Sequence, residues 1–280
     1  MQLHTKILFF LWAVSCAGIG QLLHAPASSS PALLDIGYRQ MYDLEFDQAH
    51  KTFAEMERLH PADPLGPVSN AAAYLFSELD HLQILQSEFF LDDHNFKTHH
   101  KLTPDASARR AFDREIERAT ELSRNALARS PRDENALFAT TMVLGLRADY
   151  DALIDKRYLA SLRDMKAGRL SAEKLLSIDP NYYDAYLAVG VENYMLSLKP
   201  APARWLLQLG GAETDRKRGI DNLRLTAEKG HYLRPYACLL LAVAALRDKD
   251  SKRAKAILTY LTRKFPHNRL YREELDRLQL

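Results

Sequence analysis

The chain has 280 residues, of which 47% are hydrophobic and 26% charged, and its formal net charge is +2. This is the composition of an ordinary globular protein, with enough apolar material for one large core or two small ones. The chain has 11 glycines and 12 prolines, and its β-branched residues are few. We therefore predict a helical fold, and we expect no nucleic-acid partner.

The first 27 residues resemble a secretory signal peptide. Lys6 gives a weakly positive start, an apolar run extends from Ile7 to Leu23, and Ala25-Pro26-Ala27 resembles a small-x-small cleavage site. Glycine and polar residues interrupt the run, which is short of the ~20 residues of a membrane span, so an uncleaved anchor is disfavoured. We expect a signal peptide at 1–27, a mature domain at 28–280, and a periplasmic or secreted protein.

An alternative for the same segment is a lipoprotein signal. Ala13-Val14-Ser15-Cys16 resembles the motif in which the cysteine is lipidated after cleavage. Cys16 would then anchor the chain to a bacterial membrane, and only in that case do we expect membrane contact. The other cysteine, Cys238, lies in an apolar run. It is predicted to be a buried structural thiol, because the mature chain has no second cysteine for a disulfide.

Helical periodicity accounts for most of the remaining chain, and no segment shows the pattern of a strand. Residues 92–103 are polar and predict a loop, Pro200 and Pro202 break the chain, and Gly210-Gly211 open a second loop. A short apolar turn is predicted at Trp205 to Leu209. The predicted helices are Leu33 to Tyr42, Phe46 to Leu59, Leu65 to Phe90, Pro104 to Ala128, Glu134 to Leu146, Asp151 to Ser177, Tyr183 to Met195, Asp215 to Lys229, Leu233 to Leu246, Ser251 to Lys264 and Leu270 to Leu278.

Four of the prolines define an internal repeat. Each follows a predicted helix, and each is preceded by a small residue twelve positions earlier. A small residue allows two helices to cross closely, and proline ends the second helix of the pair. The small residues are Ala49, Ala119, Gly168 and Ala254, and the prolines are Pro61, Pro131, Pro180 and Pro266.

The clearest such passage runs from Ser171 to Met195, where one helix ends at Asp179-Pro180-Asn181 and another begins. Gly190 lies inside the second helix, where glycine costs about 1 kcal/mol relative to alanine. Its predicted role is to let a neighbouring helix approach closely.

This pattern resembles the tetratricopeptide (TPR) repeat family. The best matches are Leu44 to Asp63, Ser171 to Gly190 and Arg247 to Asn268. The 34-residue unit of the family is not kept, because the prolines are 70, 49 and 86 residues apart. The resemblance implies an all-α, TPR-like α-solenoid of antiparallel helical hairpins with degenerate repeats and inserted helices.

A second resemblance is narrower. The span from Ala185 through Gly210-Gly211, together with GIDNLRLTAEKG and FPHN, looks like a bacterial group of exported TPR-like proteins. This second resemblance supports the fold and implies no activity. From the repeat fold and the predicted export we expect a non-catalytic scaffold or protein-interaction protein of the bacterial cell envelope, without a cofactor.

The candidate metal-binding residues are concentrated in the 92–100 loop. Asp92, Asp93, His94, His99 and His100 are the residue types that bind zinc or iron. No helical spacing fixes their geometry, so we predict neither a metal site nor catalytic residues. The alternative is an enzyme or ligand-binding protein whose pocket is formed by the 92–100 and 210–215 loops.

The TPR resemblance also implies a concave groove lined by the first helix of each hairpin, which holds a protein or peptide partner. Here the corresponding face is apolar, so either the groove accepts an apolar segment or it packs against the chain's own inserted helices. The predicted groove residues are Leu187, Val191, Tyr194, Met195, Leu239 and Val243.

Overall fold

A computed structural model describes residues 30–84 and 103–278. These residues form twelve α-helices and one 3-10 turn and contain no strand, which confirms the all-α class. The signal-peptide prediction for residues 1–27 lies outside the described residues. The helices are α1 (Ser30–Tyr42), α2 (Phe46–Leu59), α3 (Leu65–His81), α4 (Ala106–Arg129), α5 (Glu134–Leu153), α6 (Tyr158–Ile178), α7 (Tyr186–Ser197), α8 (Ala201–Leu209), α9 (Arg216–Lys229), α10 (Arg234–Arg247), α11 (Ser251–Lys264) and α12 (Arg269–Arg277), with the 3-10 turn Tyr183–Ala185 before α7.

Several boundaries differ from the prediction. The helix predicted over Leu65 to Phe90, or to a break near Asp80, ends at His81. The chain from Trp205 to Leu209, predicted as a short turn, is the second half of helix α8. The break after the Glu134 helix comes at residues 154–157 rather than near Leu146. Lys156 in this break has a φ of 58°, a left-handed conformation. Helix α5 extends about two turns beyond its predicted end.

The helices pack in adjacent pairs: α1 with α2, α3 with α4, α5 with α6, α7 with α9, and α10 with α11. The four prolines lie in nearly identical turns after the second helix of a pair. In each turn the residue before the proline donates its backbone N–H to the carbonyl four residues earlier, at 2.8 to 2.9 Å. The acceptors are Met56, Ala126, Leu175 and Leu261, which are all buried.

The four small residues of the repeat are buried within the second helices. Ala49, Ala119 and Ala254 are 0% exposed. An added Cβ on Gly168 would lie 3.4 Å from the Cβ of Leu144 on α5, which is ordinary van der Waals contact. A small residue at this position therefore allows the two helices of a pair to pack closely.

The pair α7 and α9 belongs to the same series, although its turn contains no proline. Gly230 takes the place of the residue before proline and donates its N–H to the carbonyl of Thr226 at 2.8 Å. Gly219 takes the small position, and an added Cβ there would lie 2.5 Å from the backbone nitrogen of Tyr194. The proline spacing does not identify this fifth pair, because its turn contains no proline. In the sequence, the glycine eleven residues before Gly230 marks it.

Helices α1 and α3 contact the segments on either side of the last pair. The rings of Tyr38 on α1 and Tyr232 stack with centroids 5.1 Å apart. Arg269 on α12 forms an ion pair with Asp80 at 2.8 Å, and Asn268 donates its side-chain N–H to the carbonyl of Tyr42 at 2.7 Å. The two ends of the described helical array therefore meet.

Candidate functional site

A central cavity of about 100 Å³ lies among α1, α3, α5, α6, α7 and α10. Helix α5 contributes one continuous face to it, at positions 141, 142, 145, 146, 148 and 149. These positions follow helical spacing, so they share one side of α5. The other helices contribute mainly apolar side chains, among them Met41, Ala72, Phe76, Met165 and Leu187.

Gly145 lies in the middle of the α5 face. A Cβ added there would meet no heavy atom of the described residues within 4 Å. A glycine inside a helix is often explained by the close approach of another segment, but no described segment approaches this one. The missing side chain therefore helps to create the cavity.

Asp149 is the ionisable group of the α5 face. Its Oδ2 accepts a hydrogen bond from the Tyr236 hydroxyl on α10 at 3.3 Å. Burial raises the pKa of Asp149 to about 7, and the Tyr236 hydrogen bond offsets only part of that effect. The residue keeps some accessible area because it borders the cavity. Its carboxylate is nevertheless surrounded by protein.

Two other polar groups at the cavity, Asp184 and the Tyr38 hydroxyl, have protein partners. The Asp184 carboxylate accepts hydrogen bonds at 2.9 to 3.1 Å from the backbone N–H groups of His231, Tyr232 and Leu233. The Tyr38 hydroxyl accepts from Ser69 at 3.0 Å and donates to the sulfur of Met142 at 3.5 Å. Asp149 and Tyr236 are consequently the polar pair best placed to meet a ligand.

The six residues of the predicted groove do not form one open surface. Leu187 and Val191 line the central cavity. Leu239 and Val243 line a separate cavity of about 40 Å³, which Tyr42 of α1 and Tyr271 of α12 help to enclose. Met195 is half-buried and packs against the core. Met41, Tyr42 and Phe76 line both cavities and so lie between them.

Tyr194, which we predicted in the groove, instead lies in the interior. Its side chain is 2% exposed, because the backbone of α9 passes directly beside it at Gly219. Gly190, one turn earlier, faces the same helix. A Cβ added at Gly190 would lie 3.0 Å from Leu223 and 3.1 Å from the carbonyl oxygen of Gly219. The two glycines allow α7 and α9 to cross closely, and that crossing buries the tyrosine.

The 210–215 loop is fixed against α6 and α7. Lys166 donates to the carbonyl of Gly210 at 2.7 Å, and the backbone N–H of Glu213 donates to Glu192 at 3.2 Å. Glu192 also forms an ion pair with the buried Arg169 at 3.0 Å. The 92–100 loop, with its Asp and His residues, lies outside the described residues, so the pocket predicted between the two loops is not tested.

A second cluster of metal-binding residue types occurs where the chain ends meet. Single ligand atoms of Asp43, Glu45 and His267 all lie within 4.8 Å of one another. The His267 ring nitrogen is already 3.0 Å from Glu45, and Asp43 accepts the backbone N–H groups of His267 and Asn268 at 2.8 and 3.2 Å. These bonds account for the cluster as a structural link between α1 and α12.

Across residues 30–84 and 103–278, no helix is both long enough and apolar enough to cross a membrane. A scan against models of known protein families and a search of curated proteins found no match to this chain.

Proposed function

We propose that this protein is a non-catalytic binding protein, built as a TPR-like helical scaffold, which holds a small and largely apolar molecule in its central cavity. The observation that carries this proposal is the cavity itself, a partly open pocket lined mainly by apolar side chains. A volume of about 100 Å³ is smaller than the 150 Å³ of an engineered cavity that binds benzene. A helical peptide, about 10 Å across, is far too large for it.

The scaffold part of the proposal is supported by repetition. Five helical pairs have a small residue and a turn in the same relative positions, which is what a degenerate repeat array requires. Export to the bacterial envelope, by cleavage after residue 27 or through lipidation at Cys16, remains part of the proposal. Mass spectrometry of the mature N-terminus distinguishes the two: a start near Ser28 supports soluble export, and an acylated Cys16 supports the anchor.

The binding proposal is tested with isobutanol, a compact neutral molecule, and with protein labelled at its methionine methyl groups. Met41, Met142 and Met165 line the cavity, so their NMR signals are expected to shift as isobutanol is added. Met56, buried elsewhere, and Met195 are internal controls. If all the methionine signals shift together, or none does, the cavity is not the binding site.

A second candidate function is contact with a protein partner through an exposed apolar surface on α6 and α8. Leu170 is 51% exposed, Trp205 63% and Leu209 66%. Exposed aromatic and aliphatic residues on neighbouring helices are typical of interaction sites. Crosslinking in envelope extract tests this: Trp205→Ala with Leu209→Ala is expected to abolish a crosslink that Tyr260→Ala, on α11, preserves.

A further inference from the structure

We propose that the ligand of the central cavity is a compact apolar amine, whose protonated nitrogen pairs with the carboxylate of Asp149 beside the Tyr236 hydroxyl. The inference rests on the proposed binding function and specifies the chemical class of the ligand. It follows from three properties of the cavity: an uncompensated carboxylate, the absence of a competing cation in the described lining, and the arrangement of rings and flexible side chains.

The carboxylate of Asp149 lacks a positive partner. Among the described residues, Tyr236 donates a hydrogen bond to Asp149 at 3.3 Å, and no Lys, Arg or His lies within ion-pair distance of the carboxylate. A buried carboxylate without a counter-charge is costly, and proteins usually neutralise it with a proton or an ion pair. A ligand ammonium group would supply the missing charge and donate a hydrogen bond to the carboxylate.

The groups that face Asp149 from the surrounding elements favour a cation. Tyr236 comes from α10, Tyr38 and Tyr42 come from α1, and Asp184 comes from the 3-10 turn. Helices α3, α6 and α7 contribute apolar residues, and no basic side chain of the described residues lines the cavity. The ring faces of tyrosine and Phe76 also attract cations. An anionic ligand would meet two carboxylates with no compensating charge.

The rest of the lining fits a short branched or cyclic hydrocarbon body. Three methionines, Met41, Met142 and Met165, border the space, and their unbranched side chains adjust to irregular ligand shapes. Gly145 leaves the α5 backbone open to the ligand. The cavity therefore selects by charge at one end and by size elsewhere.

The test compares isobutylamine, isobutanol and isobutyrate, which share nearly the same apolar body, by titration of the Met41, Met142 and Met165 methyl signals. At pH 8 we expect the amine to bind about tenfold more tightly than the alcohol, since the ion pair is desolvated, and isobutyrate to bind more weakly than either. Asp149→Asn should remove the amine preference, so that isobutylamine binds no more tightly than isobutanol. Gly145→Leu, which fills the cavity, should abolish binding of all three.

A pH series on the unmodified protein gives an independent readout that needs no variant. With a carboxyl pKa of about 7, the ionised fraction of Asp149 rises about tenfold between pH 6 and pH 8. An alkylamine stays protonated over this range, as lysine does, so its affinity should rise by up to the same factor. Isobutanol affinity should stay constant, which controls for any change in the cavity itself.

The outcomes separate this inference from the proposed function. If isobutanol binds and isobutylamine binds no better at pH 8, the amine assignment is wrong and the binding function stands. If no probe shifts the methionine signals, both proposals are wrong. An amine preference that survives Asp149→Asn, or that does not change with pH, overturns the role of Asp149.

Discussion

Two regions of this molecule place glycines inside helices and use them in opposite ways. At the crossing of α7 and α9, Gly190 and Gly219 bring backbones so close that an added Cβ would lie 2.5 to 3.1 Å from protein atoms. On α5, an added Cβ at Gly145 would meet no atom of residues 30–84 or 103–278 within 4 Å. The first region is closed by packing and the second is left open. In both, glycine costs the helix about 1 kcal/mol of stability relative to alanine. An unfilled glycine in a lined cavity therefore points to binding, and a filled one points to packing.

The largest effect is expected at the closed region. Tyr194→Ala removes a nearly fully buried ring at the α7–α9 crossing and should cost about 3 to 5 kcal/mol of unfolding free energy, because the rigid crossing cannot collapse into the space. Chemical denaturation measures the loss. Tyr260→Ala, at an exposed position on α11, is the matched control. A loss below ~1 kcal/mol would mean that the crossing is not tightly packed.

The next effect belongs to the open region and depends on pH. Burial raises the pKa of Asp149 to about 7, whereas an unfolded aspartate titrates near 3.9. The folded state therefore holds its proton more tightly than the unfolded state between these values, and stability falls as pH rises through that window. The stability advantage of Asp149→Asn over the unmodified protein should therefore be larger at pH 8 than at pH 5, by about 2 to 3 kcal/mol.

Denaturation curves of both proteins at the two pH values test this. The quantity of interest is the difference between the variant and the parent, which cancels the other titrating groups. An equal difference in stability at pH 5 and pH 8 would show that Asp149 is ionised in the folded protein at both values. The open region would then contain no Asp149 carboxyl group with a raised pKa.

A third prediction tests the close approach directly. Gly190→Leu adds a branched side chain where even a Cβ is 3.0 Å from Leu223, and overpacking of this kind should cost about 1 to 3 kcal/mol. Thermal or chemical unfolding reports the change. An unaltered melting temperature would show that α7 and α9 separate easily.

The smallest effect, and one of opposite sign, is expected at Gly145. Gly145→Leu should stabilise the protein by up to about 1 kcal/mol, since leucine is the better helix former and the side chain enters empty space. The same variant should lose isobutanol binding. Destabilisation by more than ~1 kcal/mol would contradict the open geometry and place Gly145 in the same class as Gly190.

Much of the helical organisation was predictable because it depends on local chemistry. The all-α class is confirmed, and the prolines at 61, 131, 180 and 266 each follow the end of a helix. Proline affects the residues next to it in any context, so its position indicates a helix end without tertiary information. The turn after α9 was not predictable in this way. It contains glycine in place of proline, and glycine occurs in many other structural settings.

The candidate site was not predictable, because every one of its properties depends on distant segments. In the sequence, Asp149 and Asp151 are two similar acidic residues in one helix. In the structure, Asp149 borders the cavity and accepts a hydrogen bond from Tyr236 on α10, whereas Asp151 pairs with Arg157. Tyr194 and Val191 share one apolar stripe, yet α9 buries the first and the cavity borders the second. Periodicity shows which side of a helix is apolar. Tertiary packing decides whether that side meets another helix or an open space, because that depends on where segments far apart in the chain come together.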